Sequence, residues 1–304
     1  MSEVLSKQPP TQADLTQIRI VLVAPAGPLN VGSVARVMKN FGLSQLYLVD
    51  PQCDYLGAEA LQMAVHADDV LKTAQIVPTI PKALAGCEYA IATTARTRGF
   101  NVPLDPPETA LPNLLTSNPQ QPIRQTALLF GPEDRGLSNQ ELIYAQQFLK
   151  IPTSDAYSAL NLAQAVTICC YELSRVARTF CPNSTLSSYP IESSLENKTP
   201  ALQNTPSSAK QSESSLSSTA NAPIIKEHED QPRANLEEIE RYYEHLESLL
   251  LQVGYLLPHT SASRMRKIRQ LLHRASPTSH EVALLRGMIR QIEWALSHSK
   301  QRQT

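Results

Sequence analysis

Arg19-Ile-Val-Leu-Val-Ala-Pro-Ala-Gly-Pro-Leu-Asn-Val-Gly-Ser-Val-Ala-Arg36 decides the fold class of this chain. Its first six residues are apolar almost without a break, the mark of a strand buried on both faces of a parallel sheet. From Asn30 the spacing changes to helical period and holds to Phe41, with Gly42 where a helix C-cap would stand. Gln45–Val49 is again a strand. The alternation continues outward. Ala58–Ala74 reads as helix, Gln75–Ile80 as a short strand, Pro81–Ala85 as a helical turn, Tyr89–Thr93 and Thr126–Phe130 as strands. Ser138–Gln147 is a helix opened by a capping box, Ser138 with Glu141 three residues on. Phe148–Ile151 is the last strand and Ser158–Arg178 the last helix of the series. This order predicts an α/β fold, a mostly parallel sheet with helices on both faces.

The 304 residues have room for one such domain and a smaller second one. Apolar residues make up 42%, a little low for a globular chain, so part of it is not core. Residues 1–17 read as a flexible, Pro-containing leader and 18–180 as the α/β domain. Across 181–232 Ser, Pro, Asn and Thr dominate. Large apolar residues there are too sparse to offset the ordering entropy, which predicts a disordered linker. In 233–300 helical period returns, with Leu236, Ile239, Tyr243, Leu246, Leu249 and Leu250 in one stripe. Ser261–Ala275 is a second helix, and Thr278 with Glu281 is a capping box opening a third to about Ser297. This region reads as a small all-α domain or hairpin-like extension.

The formal net charge is −1, so no global field gathers nucleic acid and any RNA affinity needs a local patch. Ser261–Ala275 offers one, with Arg264, Arg266, Lys267, Arg269 and Arg274 and no acid. The competing reading is a solvated face whose cations pair with Glu237, Glu238, Glu240, Glu244 and Glu247 of the preceding helix. The five cysteines, Cys53, Cys87, Cys169, Cys170 and Cys181, have no metal spacing. They read as reduced thiols of a cytoplasmic protein without metal. The first residues lack the apolar segment of a signal peptide, and no apolar run is long enough to span a membrane. No GxGxxG follows the first strand and no Walker lysine is present, which speaks against a dinucleotide-binding or P-loop site.

Three distant segments sit where a strand hands over to a loop or helix: Asn30-Val-Gly-Ser-Val-Ala-Arg36, Phe130-Gly-Pro-Glu-Asp-Arg-Gly-Leu137 and Ile151-Pro-Thr-Ser-Asp-Ala-Tyr-Ser-Ala-Leu-Asn-Leu162. Ligand sites of open α/β sheets collect at such strand ends, so the three are expected to build one composite site. Taken singly they are ambiguous. Asn30 could simply cap its helix. Gly32 and Ser33 permit a close approach of the backbone to a ligand, or of helix to sheet. Arg36 could snorkel to solvent or pair with a carboxylate. Gly131–Gly136 could be an ordinary charged turn.

In order and spacing the three segments resemble the motifs of the SPOUT methyltransferases, in the TrmH branch that methylates RNA ribose 2′-hydroxyls. The resemblance implies S-adenosylmethionine as cofactor, a C-terminal trefoil knot in the sheet domain, and a homodimer whose sites use both chains. It implies that Arg36, Asn30 and Glu133 line the reacting centre. Arg36 is the residue the family assigns to activating the hydroxyl. A guanidinium is an odd general base, so it either takes the proton or lowers the hydroxyl pKa while holding the adjacent phosphate. It further implies a cofactor pocket built from Thr93, Thr94 and Ala95 at one strand end, Gly131 and Gly136 in the loop, and Ile151, Ser158, Ala159, Leu160 and Asn161. There is one departure. Family members commonly carry Ser immediately before the Leu-Asn pair, where this chain has Ala159.

The segments Leu236-Glu-Glu-Ile-Glu-Arg-Tyr-Tyr-Glu-His-Leu246 and Leu284-Leu-Arg-Gly-Met-Ile-Arg290 are similar to the C-terminal extension of the bacterial TrmJ family. That likeness implies tRNA as partner, with cytidine or uridine at position 32 of the anticodon loop as substrate, and Arg264, Arg266, Lys267 and Arg269 as RNA-binding residues. Two other readings compete. One is a ribosomal RNA ribose methyltransferase of the same fold, against which the extension argues. The other is a non-catalytic RNA-binding protein on a degenerate methylase fold, which only Ala159 favours.

Overall fold

The computed structural model describes residues 15–95, 103–115, 125–154, 156–180 and 233–301. The expected linker and nearly all of the expected leader lie outside these residues. The centre of the molecule is a sheet of seven parallel strands. They are β1 (Ile18–Val23), β2 (Gln45–Val49), β3 (Gln75–Val77), β4 (Tyr89–Thr93), β5 (Leu104–Asp105), β6 (Thr126–Phe130) and β7 (Gln147–Leu149), in the spatial order β3-β2-β1-β6-β4-β7-β5. The chain runs from β1 outward to β3, then returns to the other side of β1, so the strand order reverses at the centre. β1 pairs in parallel with both β2 and β6 and all six of its residues are buried, as its nearly continuous apolar run, interrupted only by Arg19, requires.

Successive side chains of β1 serve opposite faces. Ile18, Ile20 and Leu22 enter one core and Val21 and Val23 the other. The first face is covered by α1 (Pro28–Asn40), α2 (Ala58–Ala64), α3 (Asp68–Lys72), α5 (Pro107–Ala110), α6 (Pro112–Leu115) and α8 (Leu162–Phe180). Gly32 of α1 lies against α2. A Cβ there would stand 2.1 Å from the carbonyl oxygen of Ala60, so the glycine serves the approach of two helices.

The second face is covered by α4 (Ile80–Ala83) and α7 (Asn139–Leu142) together with the C-terminal helices α9 (Leu236–Gln252), α10 (Ser261–Ala275) and α11 (Ser279–Gln301). Leu236, Ile239, Tyr242 and Tyr243 of α9 are buried in the same cluster as Ile80, Leu84, Cys87, Leu142 and Ala145. The amide of Leu236 donates to the carbonyl of Cys87 at 2.8 Å. The extension therefore completes a core of the sheet domain.

Several sequence expectations are corrected. Ala58–Ala74 is two helices, because Val65 at φ 57°, ψ −99° cannot continue the first. The Ser138 capping box forms as read, but its helix stops at Leu142. β7 lies one to two residues earlier than Phe148–Ile151, and α8 begins at Leu162, four residues later than expected. β5, α5 and α6 were not read from the sequence, since elements of two to four residues are too short to show a period.

Candidate active site at the carboxyl ends of the central strands

The turns after β1, β6, β4 and β7 meet where the strand order reverses, the place an open α/β sheet offers a ligand. After β1 the chain crosses Pro25–Gly27 and enters α1 at Pro28. Gly27 is the N-cap and makes no side-chain cap bond, so Asn30 is already inside the helix and does not cap it. After β6 the loop Gly131–Gly136 folds back on itself. A Cβ on Gly131 would stand 2.2 Å from the amide nitrogen of Leu137, and Gly136 is in the left-handed region at φ +66°. The reversal is fixed by the Gly136 amide donating to the Pro132 carbonyl at 2.9 Å. Arg135 ties the loop to α7 by two bonds to Glu141, at 2.8 and 2.9 Å.

This turn aims Glu133 at the start of α1. Its Oε1 accepts from Asn30 Nδ2 at 2.7 Å and from the Gly27 amide at 3.2 Å, and its Oε2 accepts from the Ala26 amide at 3.2 Å. Burial opposes ionisation of Glu133. Hydrogen bonds from Asn30 and the backbone amides outweigh it and hold the carboxyl below its usual range. Glu133 is thus an anion at neutral pH with its oxygens occupied, suited to holding α1 in place and unsuited to carrying a proton. The third segment joins through Asn161, whose Nδ2 donates to Asn30 Oδ1 at 2.9 Å. Asn161 Oδ1 caps α8 by accepting from the amides of Ala163 and Gln164, at 2.8 and 3.4 Å. Gln164 Oε1 in return accepts from the Asn161 amide at 3.3 Å, a reciprocal capping box. One chain of bonds, Glu133–Asn30–Asn161, ties together the three segments singled out in the sequence.

Beside this chain lies a cleft open to solvent. Thr93, Thr94, Ala95, Gly131, Gly136, Ile151, Ser158, Ala159 and Leu160 all line it. Asn161 does not; it faces Asn30. The sequence reading missed the apolar wall of Phe130, Leu137, Leu149, Leu162 and Ala165. These residues look like ordinary core in sequence, and only the strand ends and α8 meeting in space make them a wall. The cleft suits a flat heteroaromatic ring carrying a cationic chain. The wall can take the ring. The amides of Ala159 and Leu160, which make no hydrogen bond among the described residues, can meet its polar edge. Glu133 and Asp134 at the rim favour positive charge, since the cation of Arg135 beside them is paired with Glu141. Ala159 keeps the amide, so this fit does not need the serine hydroxyl.

Arg36 is exposed on α1, about 9 Å along the axis beyond Asn30. It has no polar partner among the described residues and stands outside the Glu133 network. On α10, Arg264 and Lys267 are exposed and Arg266 is half-buried. The expectation that Arg269 contacts RNA is corrected. It is only 8% exposed, its two terminal nitrogens bond Glu240 at 2.5 and 2.6 Å, and its guanidinium lies 4.3 Å from the ring centre of Tyr243. A cation already neutralised and covered has nothing to offer a phosphate. Among the described residues no cluster of His, Cys, Asp or Glu could hold a metal ion, and no helix is long and apolar enough to cross a membrane.

Comparison with known proteins matches residues 17–171 to the SpoU rRNA Methylase family. The chain belongs to this family. Residues 237–303 match the C-terminal domain of the tRNA methyltransferase TrmJ. The tRNA (cytidine/uridine-2′-O-)-methyltransferase TrmJ of Klebsiella pneumoniae is 36% identical over 92% of this chain and 97% of its own length. The Escherichia coli K12 protein of the same name is 35% identical over 92% and 96%. Among solved structures, TrmJ from Zymomonas mobilis superposes with a TM-score of 0.67 at 30% identity, over 90% of this chain and 98% of that one. The SpoU match spans β1 to the first half of α8, and so includes every residue of the Glu133–Asn30–Asn161 chain. The second match falls on the helices that close the sheet's second face.

Proposed function

We propose that this chain is an S-adenosylmethionine-dependent tRNA methyltransferase that modifies the ribose 2′-hydroxyl of cytidine or uridine at position 32 of the anticodon loop. The observation that carries the reading is the Glu133–Asn30–Asn161 chain, which ties the cleft to the helix bearing Arg36 in a protein spanning nearly the full length of its TrmJ relatives. The bound cofactor supplies an electrophilic methyl group on sulfur. The protein's task is to align a weak nucleophile in line with it and ease loss of the hydroxyl proton, and alignment alone is worth about 7–11 kcal/mol.

Thr93–Ala95, Gly131, Gly136, Ile151 and Ser158–Leu160 hold the cofactor. Asn30 and Glu133 are positioning residues that fix the start of α1. Arg36 holds the phosphate beside the target ribose and lowers the pKa of its hydroxyl, the role open to an always-charged guanidinium. Arg264, Arg266 and Lys267 contribute RNA affinity. The trefoil threading of the 147–162 segment and a homodimer belong to the same reading. Leu162 and Val166 are buried within this chain, whereas Leu29 on α1 and Tyr171 on α8 are about half exposed, as a partner-facing surface requires. The test incubates the purified chain and S-adenosylmethionine with tRNA and with ribosomal RNA from cells lacking it, followed by nucleoside mass spectrometry. 2′-O-methylcytidine and 2′-O-methyluridine should appear in tRNA. Methylation of ribosomal RNA alone, or of neither, overturns the reading.

A further inference from the structure

We propose that the corner between α9 and α10 binds an unpaired nucleotide of the RNA substrate, its base stacked on Tyr255 and its phosphate held by Arg264. The proposal rests on the RNA-methylation reading and adds a site remote from the cleft. α9 ends at a left-handed turn on Gly254, φ +77°. Two residues later Leu256 is buried to 1% and its amide bonds the Leu250 carbonyl at 3.0 Å. Tyr255, caught between the turn and this anchor, is turned outward and 59% exposed.

Arg264, one turn into α10, reaches back over it. Its Nη1 donates to the Tyr255 carbonyl at 2.7 Å, and its guanidinium carbon lies 5.6 Å from the ring centre. That contact can occupy only one face of the ring, and the exposure of Tyr255 leaves the other for a base. Only one donor of the fork is committed to the carbonyl, so Arg264 keeps others for a phosphate.

Charge selects the occupant. From Ser248 to His280 the chain carries no Asp or Glu, while Arg264, Arg266, Lys267 and Arg274 lie on α10. The remaining cation of that helix, Arg269, is already spent on Glu240. An exposed aromatic beside acid-free cations is how proteins take single-stranded nucleic acid, because every base offers a flat face and every nucleotide an anion. Val253 and Leu257 beside Tyr255, 45% and 46% exposed, extend the apolar platform without adding charge. In a tRNA such unpaired nucleotides occur in its loops.

The experiment measures binding of full-length tRNA to the full chain across a salt series, with methylation of the same tRNA as a check. Tyr255→Ala should weaken binding about 5- to 100-fold, the range of one lost base stack, with the salt slope unchanged. Tyr255→Phe should stay within about twofold of the parent, since the ring is kept. Arg264→Gln should weaken binding and make the salt slope shallower by about one unit. Thermal unfolding should not move for Tyr255→Ala, a surface change. Parent-like binding by both Tyr255→Ala and Arg264→Gln overturns the proposal. Parent-like binding by Tyr255→Leu also overturns it, because an apolar contact would then suffice. If Tyr255→Ala instead lowers the sedimenting mass while RNA affinity holds, the corner is a contact between copies of this chain and the proposal falls. Absence of methylation by the parent chain rejects the enzymatic reading itself, a separate outcome.

Discussion

Replacing Arg269 by methionine tests the reassignment of that residue from RNA contact to structural joint. Methionine fills much of the same space, so the change removes mainly the charge and its bonds. Arg269 joins α10 to Glu240 of α9 by two short bonds in a setting where the two side chains are 10% and 16% exposed. Its loss leaves the Glu240 carboxylate covered and without its cation. Breaking a buried pair from one side costs about 3–5 kcal/mol, and the residual exposure places this one near about 3 kcal/mol. The desolvated cation–π contact with Tyr243 at 4.3 Å adds about 2 kcal/mol. For a chain of this size each kcal/mol moves the melting temperature by about 2–4 °C. The total, about 5 kcal/mol, corresponds to about 10–20 °C. Differential scanning calorimetry of Arg269→Met reads this directly. The double variant Arg269→Met/Glu240→Gln should recover a large part of the loss, because it no longer strands a charge. An unchanged melting temperature together with a shallower salt slope of tRNA binding would refute the reasoning and return Arg269 to the RNA-facing surface.

Four further outcomes are expected. Arg36→Ala should abolish methyl transfer while calorimetry shows S-adenosylmethionine binding within about threefold of the parent, since the side chain stands away from the cleft; Arg36→Lys should also fail, because the planar fork is lost. Glu133→Gln should lower kcat/KM about 10- to 100-fold, because one amide N–H must now face a donor and the charge-assisted bonds are weakened; parent-like turnover would remove Glu133 from the positioning role. Because the folded-state pKa of Glu133 is depressed, its contribution is present above the ordinary glutamate value and is lost as pH falls through the lower folded value. The melting temperatures of parent and Glu133→Gln should therefore converge in acid, and a gap that widens there would contradict the sign. Finally, a chain cut after residue 180 should lose stability and self-associate, since it uncovers Ile80, Leu84, Cys87, Leu142 and Ala145; a monodisperse fragment with parent-like melting would show that the sheet domain does not need α9–α11.

The sequence by itself determined the fold class and the order of the main elements, and it singled out the three segments that the Glu133–Asn30–Asn161 bonds join. Apolar runs in β1 and β6 report burial on both faces, and side-chain periodicity is a local property that survives being read without coordinates. The capping boxes at Ser138 and Thr278 were legible for the same reason, since both partners lie within four residues. Nine residues expected to hold a cofactor, six of them in the motif segments and three at the end of β4, line the cleft, and so does Glu133. Tertiary structure decided what each of these residues does. Asn30 looked like a helix cap and is a hub between Glu133 and Asn161, more than a hundred positions away in either case. Gly32 serves the approach of α1 to Ala60. Arg269 is indistinguishable in sequence from Arg266 and Lys267, yet it alone is turned inward onto Glu240, because the packing of α10 on α9 fixes which side of the helix meets a carboxylate. A sequence records which face of an element is apolar. It does not record what covers that face, and here the cover on the sheet's second side is supplied by helices that return from the far end of the chain.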